Sequence, residues 1–318
     1  MPVKISQVLK QYIILFLFLL YNLTLTAQQK DTVYTFTVAR DVTISIDRTD
    51  PSVSLKKPVL LIFYALPNGN TTSQTMGKRM DAGDDWHFDI QHIRAQTAYL
   101  RAQLPGKNIV VAYLENNYKS WPLWKQKHPQ FADSIKFIVD TIASLFNKPS
   151  IYLNGHSGGG SFIFGYLKSG PVIPSAIQRI SFIDSDYGYD STYTDQLVSW
   201  LKNKRHALNV FAYNDSVALY NGKPVVSPTG GTWYRSHLLL RDLSKYFTMN
   251  TEENDSLVIV KSTNKRIQFF FKLNPGRKIL HTQQVELNGF IHSILCGTKN
   301  DSNGYQYYGH RAYSQFIR

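Results

Sequence analysis

The chain has 318 residues, with 43% hydrophobic, 14% aromatic and 18% charged side chains, which fits a packed α/β domain and excludes a disordered or collagen-like chain. Cys296 is its only cysteine, so an internal disulfide is impossible and a cysteine-built metal site is disfavoured. The formal net charge of +13 points to anionic partners; with no helix-turn-helix, finger or RNA-binding signature, an anionic envelope surface or acidic polymer fits better than nucleic acid.

In chain order, Lys4 and Lys10 precede or flank an apolar run from Tyr12 to Leu20, and Leu25-Thr26-Ala27 places small residues before Gln28. This is the pattern of a secretory signal over 1–27, with an uncleaved N-terminal anchor as the alternative. It predicts a secreted or periplasmic domain over 28–318. No second long apolar run follows, so no membrane span is expected in the mature chain.

Thr32 to Val38 and Val42 to Asp47 alternate polar and apolar residues around Arg40-Asp41, as an edge hairpin does. Asp50-Pro51 to Lys57 reads as a turn region. Pro58 to Tyr64 is a continuous apolar run suited to a strand buried on both faces. A Gly/Asn/Asp-rich loop from Ala65 to Asp85 leads to a helix over Phe88 to Leu104. Asn108 to Leu114 is a second buried strand, followed by a polar and aromatic stretch from Glu115 to His128. Pro129 to Phe146 is an amphipathic helix, with Ile135, Ile138, Val139 and Ile142 on one face.

Ile151 to Asn154 is a third buried strand, and Gly155-His156-Ser157-Gly158-Gly159 follows it directly. The run after it, from Gly160 to Leu167, reads as a helix start. A serine between strand and helix sits on a sharp turn that lifts its hydroxyl clear of the sheet, and small neighbours are needed there. The alternative is a structural glycine-rich turn. Strands over Arg179 to Asp184 and Ala207 to Tyr213, helices over Asp195 to Lys204 and Ser236 to Phe247, a hairpin of Leu257 to Val260 with Ile267 to Leu273, and a last strand over Lys278 to Val285 complete the pattern.

Alternating strands and helices call for a mostly parallel sheet with helices on both faces and an N-terminal antiparallel edge hairpin. With the serine turn after the fifth strand, this order resembles the α/β-hydrolase fold along nearly the whole mature chain. The resemblance implies a serine hydrolase, most simply a carboxylic-ester hydrolase without a cofactor, acting on a small-molecule or polymer-linked ester. An amidase or peptidase on cell-envelope material, or a non-catalytic glycan-binding protein on the same fold, are the other readings.

The resemblance also implies the order nucleophile, acid, base. Ser157 is the nucleophile. The acid belongs after a late strand, which points to Asp215, with Asp184 and Asp186 as rivals. The base belongs in a loop after the last strand, which points to His292, with His237 second; His281 falls inside the predicted strand and His310 in a Tyr-rich tail. The oxyanion donors are the amide of Gly158 and one in the loop after Tyr64, where Pro67 has no N–H and Leu66 is the choice ahead of Ala65.

Aromatic residues in predicted loops, among them Trp121, Trp124, Tyr187, Tyr189, Trp233 and Tyr234, suggest a substrate wall, with Arg235 as an anion contact. Trp233, Tyr234 and Arg235 are the expected substrate-binding group. Asp81, Asp84, Asp85, His87, Asp89 and His92 crowd one segment. Metal ligation there is one reading, and an acidic helix start is the plainer one.

Overall fold

A computed structural model describes residues 31–49 and 57–318. The secretory-signal reading of 1–27 and most of the turn region over 50–57 lie outside the described residues. Among them, no helix is long and apolar enough to cross a membrane.

The sheet has ten strands in the order β1-β2-β4-β3-β5-β6-β7-β12-β11-β10. β1 (Asp31–Ala39) and β2 (Val42–Thr49) are joined by the tight turn at Arg40-Asp41, where Asp41 takes a φ of 62°. β3 (Val59–Ala65), β4 (Asn108–Asn116), β5 (Ser150–His156), β6 (Ile177–Ile183) and β7 (Ala207–Tyr213) form the parallel centre. A small ribbon, β8 (Leu219–Tyr220) with β9 (Lys223–Pro224), stands apart from it. β10 (Met249–Glu253), β11 (Leu257–Ser262) and β12 (Ile267–Lys272) close the far edge as an antiparallel meander, with β12 parallel to β7.

The alternation of side chains across each strand makes two cores. Leu61, Phe63 and Ala65 of β3 face one; Leu60, Ile62 and Tyr64 face the other. The first core is covered by α3 (Trp121–Lys127), α4 (Phe131–Ser144), α5 (Gly160–Leu167), α6 (Thr194–Leu201) and α7 (Thr232–Leu243), after the short α1 (Thr72–Met76) and α2 (Ile93–Gln103). The second is covered by α2, by α9 (Gly289–Leu295), which follows the single turn α8 (Gln283–Glu286), and by Tyr305, Tyr307 and Tyr313.

Three local predictions are corrected. The helix expected over Phe88 to Leu104 starts only at Ile93, because His92 takes a left-handed φ of 45° that separates a 3-10 turn at Trp86–Asp89 from α2. The stretch after β4 contains α3, capped by the Ser120 hydroxyl, which accepts from the Leu123 amide. Lys278 to Val285 is not a strand. Asn274 satisfies the backbone of that segment as a loop, accepting from the Lys278 amide and donating to the carbonyls of Lys278 and Asn214. Ile279 is left exposed while Val285 is buried in the second core, so the segment does not present the alternating face of a strand.

β4 and β5 lie on opposite sides of β3, so the chain changes direction around β3. Ligands of open α/β sheets bind at the carboxyl ends of the strands where this happens. The loops after β3, β5 and β6 all leave the sheet at that edge.

Candidate active site

β5 delivers Ser157 into a φ of 55°, a conformation costly for a residue with a Cβ. The chain then makes a 3-10 turn, Ser157–Gly159, and runs straight into α5. The turn is possible because its neighbours lack side chains. A Cβ on Gly159 would stand 2.2 Å from the Ala65 carbonyl oxygen, and one on Gly158 would stand 2.0 Å from Asn68 Oδ1. Ser157 is half-buried and opens onto a cavity of about 620 Å³ shared with Asn68, Gly158, Phe164, Tyr187 and Tyr193.

β6 ends at Asp184, fully buried and again left-handed, with a φ of 46°. Its Oδ2 is bonded to His281 Nδ1, and its Oδ1 accepts from the Thr232 hydroxyl. A carboxylate only accepts, so His281 Nδ1 carries the proton and Nε2 is left as the basic nitrogen. The His281 ring lies 4.6 Å from the ring of His156, the residue before the serine, and 6.4 Å from that of Tyr187 on the cavity wall.

His281 is also held through its backbone. Tyr64 Oη donates to Gln91 Oε1 at 2.7 Å, Gln91 Nε2 donates to His156 Nδ1 at 2.9 Å, and His156 Nε2 donates to the His281 carbonyl at 3.2 Å. Each group in this chain has one direction open to it, so one tautomer of His156 satisfies all three contacts. Burial holds the His156 pKa well below the usual histidine range, and the nearby His281 adds to this, which keeps the ring neutral.

The other expected residues lie elsewhere or are already engaged. His292 is on α9, not in a loop. Its Nδ1 bonds Tyr305 Oη at 2.8 Å, its ring stacks on Tyr307, and burial lowers its pKa to about 4. That is a histidine built into the second core, and the structure does not bring it to the elbow. His237 bonds its own helix at the Trp233 carbonyl and stacks on Phe271. His310 is exposed.

Asp215 follows β7 as expected, but its Oδ2 accepts from the amide of Thr232 at 2.8 Å instead of from a histidine. Burial, with Asp184 beside it, raises its pKa to about 6. Asp186 accepts from the Ser236 hydroxyl, and burial raises its pKa well above the carboxylate range.

The amide of Leu66 donates to the Leu114 carbonyl at 3.2 Å, so that oxyanion assignment is corrected. The next N–H past Pro67 belongs to Asn68, which lines the cavity against Gly158. Trp233 packs on Phe271 at the first core, and Arg235 donates to the Tyr189 carbonyl under Tyr234; none of the three lines the Ser157 cavity. Trp121 and Trp124 are buried.

The acidic segment before α2 is taken up by its neighbours: Asp84 pairs with Lys78, Asp85 hydrogen-bonds His87, and Asp89 hydrogen-bonds His92 and pairs with Arg311. No group of three or more potential metal ligands is found among the described residues. Tyr187 is the one expected aromatic that does line the cavity. His281 was hidden in the sequence by the strand-like spacing of Lys278 to Val285. The Asn-Pro-Gly turn signal at 274–276, just ahead of it, was the available hint that a loop begins there.

No protein-family model matches the chain, and neither does any curated protein sequence. Solved structures do resemble it. A thermostable esterase is 14% identical, with 79% of this chain and 58% of that one covered and a TM-score of 0.47, so the match spans just over half of that enzyme. The siderophore hydrolase EstA from Aspergillus nidulans is 12% identical over 85% of this chain and 96% of its own, with a TM-score of 0.48. An S-formylglutathione hydrolase from Agrobacterium tumefaciens is 10% identical over 82% and 92%, with a TM-score of 0.44. By its own strand order, with the serine on a strained turn after the fifth strand and an Asp–His pair after later ones, the chain has the α/β-hydrolase fold.

Proposed function

We propose that the chain is a serine hydrolase that cleaves carboxylic esters, with Ser157 as nucleophile, His281 as base and Asp184 as the carboxylate that orients the base. The carrying observation is the bond between buried Asp184 and half-buried His281, whose ring packs against the residue preceding a strained, cavity-facing serine. A serine hydroxyl is a weak nucleophile until an imidazole takes its proton, and the imidazole works only in the tautomer that a partner such as Asp184 fixes.

In this reading Ser157 Oγ attacks the ester carbonyl carbon and its proton passes to His281 Nε2. The carbonyl oxygen becomes an oxyanion, received by the amides of Gly158 and Asn68. Gly158 lies in the first turn leading into α5, where amides lack helical partners and the helix dipole favours negative charge. The tetrahedral species collapses, the C–O bond to the alcohol breaks, and His281 returns the proton to that oxygen. Water, deprotonated by His281, then attacks the acyl-enzyme and frees the carboxylic acid and Ser157.

An ester is favoured over an amide because the alkoxide is the better leaving group. Matched ester and amide substrates test that preference. Secretion, with cleavage after Ala27, belongs to the same reading, and N-terminal sequencing of the mature protein is expected to begin at Gln28.

The test of the chemistry is a fluorophosphonate probe. It is expected to label Ser157 in the folded protein, and His281→Ala is expected to slow labelling by roughly 10³-fold or more. A folded protein that stays unlabelled and binds glycan would support the non-catalytic alternative instead. Labelling that survives His281→Ala but is lost in a folded His292 variant would return the base to His292.

A further inference from the structure

The Ser157 cavity has two basic side chains on its wall that the hydrolytic chemistry does not use. Lys125 comes from α3 and Lys168 from the residue just past α5. Lys125 is half-buried. Its ammonium sits 5.1 Å from the centre of the Phe131 ring and donates to the Ser161 carbonyl at 3.2 Å. Lys168 is exposed and close enough for its charge to act on Lys125.

Neither is in an ion pair among the described residues. Burial, and then the like charge of Lys168, push the Lys125 pKa down to about 8. Lys125 holds its charge partly out of water beside a like charge, a cost that an anion bound nearby relieves.

The one carboxylate on the same wall forms no ion pair with either of them among the described residues. Asp190 is taken up as a cap, its Oδ1 accepting from the Thr192 amide at 2.9 Å and from the Thr192 hydroxyl. The same wall carries Phe164 and Tyr193, with their rings 5.1 Å apart. The cavity therefore brings together a serine hydroxyl, an aromatic pair and two lysines.

We propose that the cavity selects esters that carry a carboxylate on the acyl or alcohol part, held by the ammonium groups of Lys125 and Lys168 while Ser157 attacks the ester carbonyl. This rests on the serine-hydrolase reading of Ser157. A neutral acyl chain packs on the aromatic pair but leaves both cations unanswered. A charged one adds a charge-assisted hydrogen bond at a partly dried site, where such bonds are strongest.

The experiment compares kcat/KM for two matched pairs on the intact protein: 4-nitrophenyl hydrogen adipate against its methyl ester, and 4-acetoxybenzoate against its methyl ester. The first pair places the carboxylate on the acyl side and the second on the alcohol side. The wild type is expected to favour the charged member of at least one pair by about tenfold or more. That ratio is expected to collapse in Lys125→Met with Lys168→Met, mainly through KM, and to be largely kept in Lys168→Arg.

Circular dichroism and the melting temperature of each variant separate lost folding from lost selectivity. If the double variant does not fold, Lys168→Glu alone, at an exposed position, is expected to lower the ratio. Fluorophosphonate labelling of the wild type runs alongside. Labelled protein with no charged preference in either pair, or a preference untouched by the lysine changes, overturns this inference and leaves the hydrolase reading standing. Unlabelled protein overturns both.

Discussion

Asp184 and Asp215 show how two carboxylates joined to one residue can have different roles. Both accept from Thr232, yet only Asp184 also holds a histidine. Asp184→Asn is expected to lower kcat by about 10³- to 10⁴-fold, because an amide that turns its NH₂ to the ring stabilises the wrong tautomer. Asp215→Asn keeps an acceptor for the Thr232 amide and is expected to cost less than about tenfold, read from the same kinetics. Its effect on stability is predicted to run the other way. The folded pKa of Asp215 is raised to about 6 by burial and by Asp184, so between about pH 4 and 6 the folded chain binds more protons than the unfolded one. Stability conferred by that proton is present at low pH and lost as pH rises through this window. Asp215→Asn should therefore be more stable than the wild type at pH 7, on the order of 2 kcal/mol, with the gap closing near pH 4, as urea unfolding at both pH values would show. At the oxyanion side, Asn68→Pro removes the second amide, and Asn68→Ala keeps it. The first is expected to cost about 10²- to 10³-fold in kcat and the second much less.

At the scale of elements, His281, the proposed base, is carried by a loop instead of a strand or helix, so its position depends on what pins that loop. Asn274 fixes the loop's own shape, and the Tyr64–Gln91–His156 chain ties it to β3 and β5. His156 touches no reacting atom and acts as a positioning residue. His156→Leu is expected to lower kcat by roughly 10- to 100-fold with KM nearly unchanged, because substrate contacts stay while the base loses its fixed carbonyl. Gln91→Leu should give the same split by breaking the chain one step earlier. A purely structural role would lower the melting temperature without separating kcat from KM, and that outcome would reject the assignment.

At the scale of the molecule, the packing of α2 on β2 and β4 is secured by a buried ion pair. Arg101 of α2 bonds Asp47 of β2 at 2.9 Å and also donates to the Ile109 carbonyl of β4. Asp47 is fully buried. Asp47→Ala removes the buried carboxylate of this pair and is expected to cost about 3–5 kcal/mol in urea unfolding, with little change in kcat for the protein that remains folded. This contact is thus a stability feature, while the C-terminal ends of β3, β5 and β6 carry the candidate site.

The fold was legible because its signals are local. Runs such as Leu60 to Tyr64 and Val110 to Leu114 are too apolar to face water on either side, and a buried parallel sheet is what such runs build. The elbow was legible for the same reason, since Ser157 needs small neighbours on a turn and Gly155, Gly158 and Gly159 supply them in sequence. The partners of Ser157 were not. Asp184, Asp186 and Asp215 follow strands alike, and His281 and His292 differ in sequence only by a strand-like spacing that Asn274 turns into a loop. Which imidazole meets which carboxylate is decided by contacts across 97 residues of chain, as between His281 and Asp184, and no local pattern encodes a contact of that span. Composition and periodicity thus determined the sheet and the serine turn; tertiary packing alone joined His281 to Asp184 and set the two lysines on the Ser157 cavity, because those placements depend on distance in space and not on position along the chain.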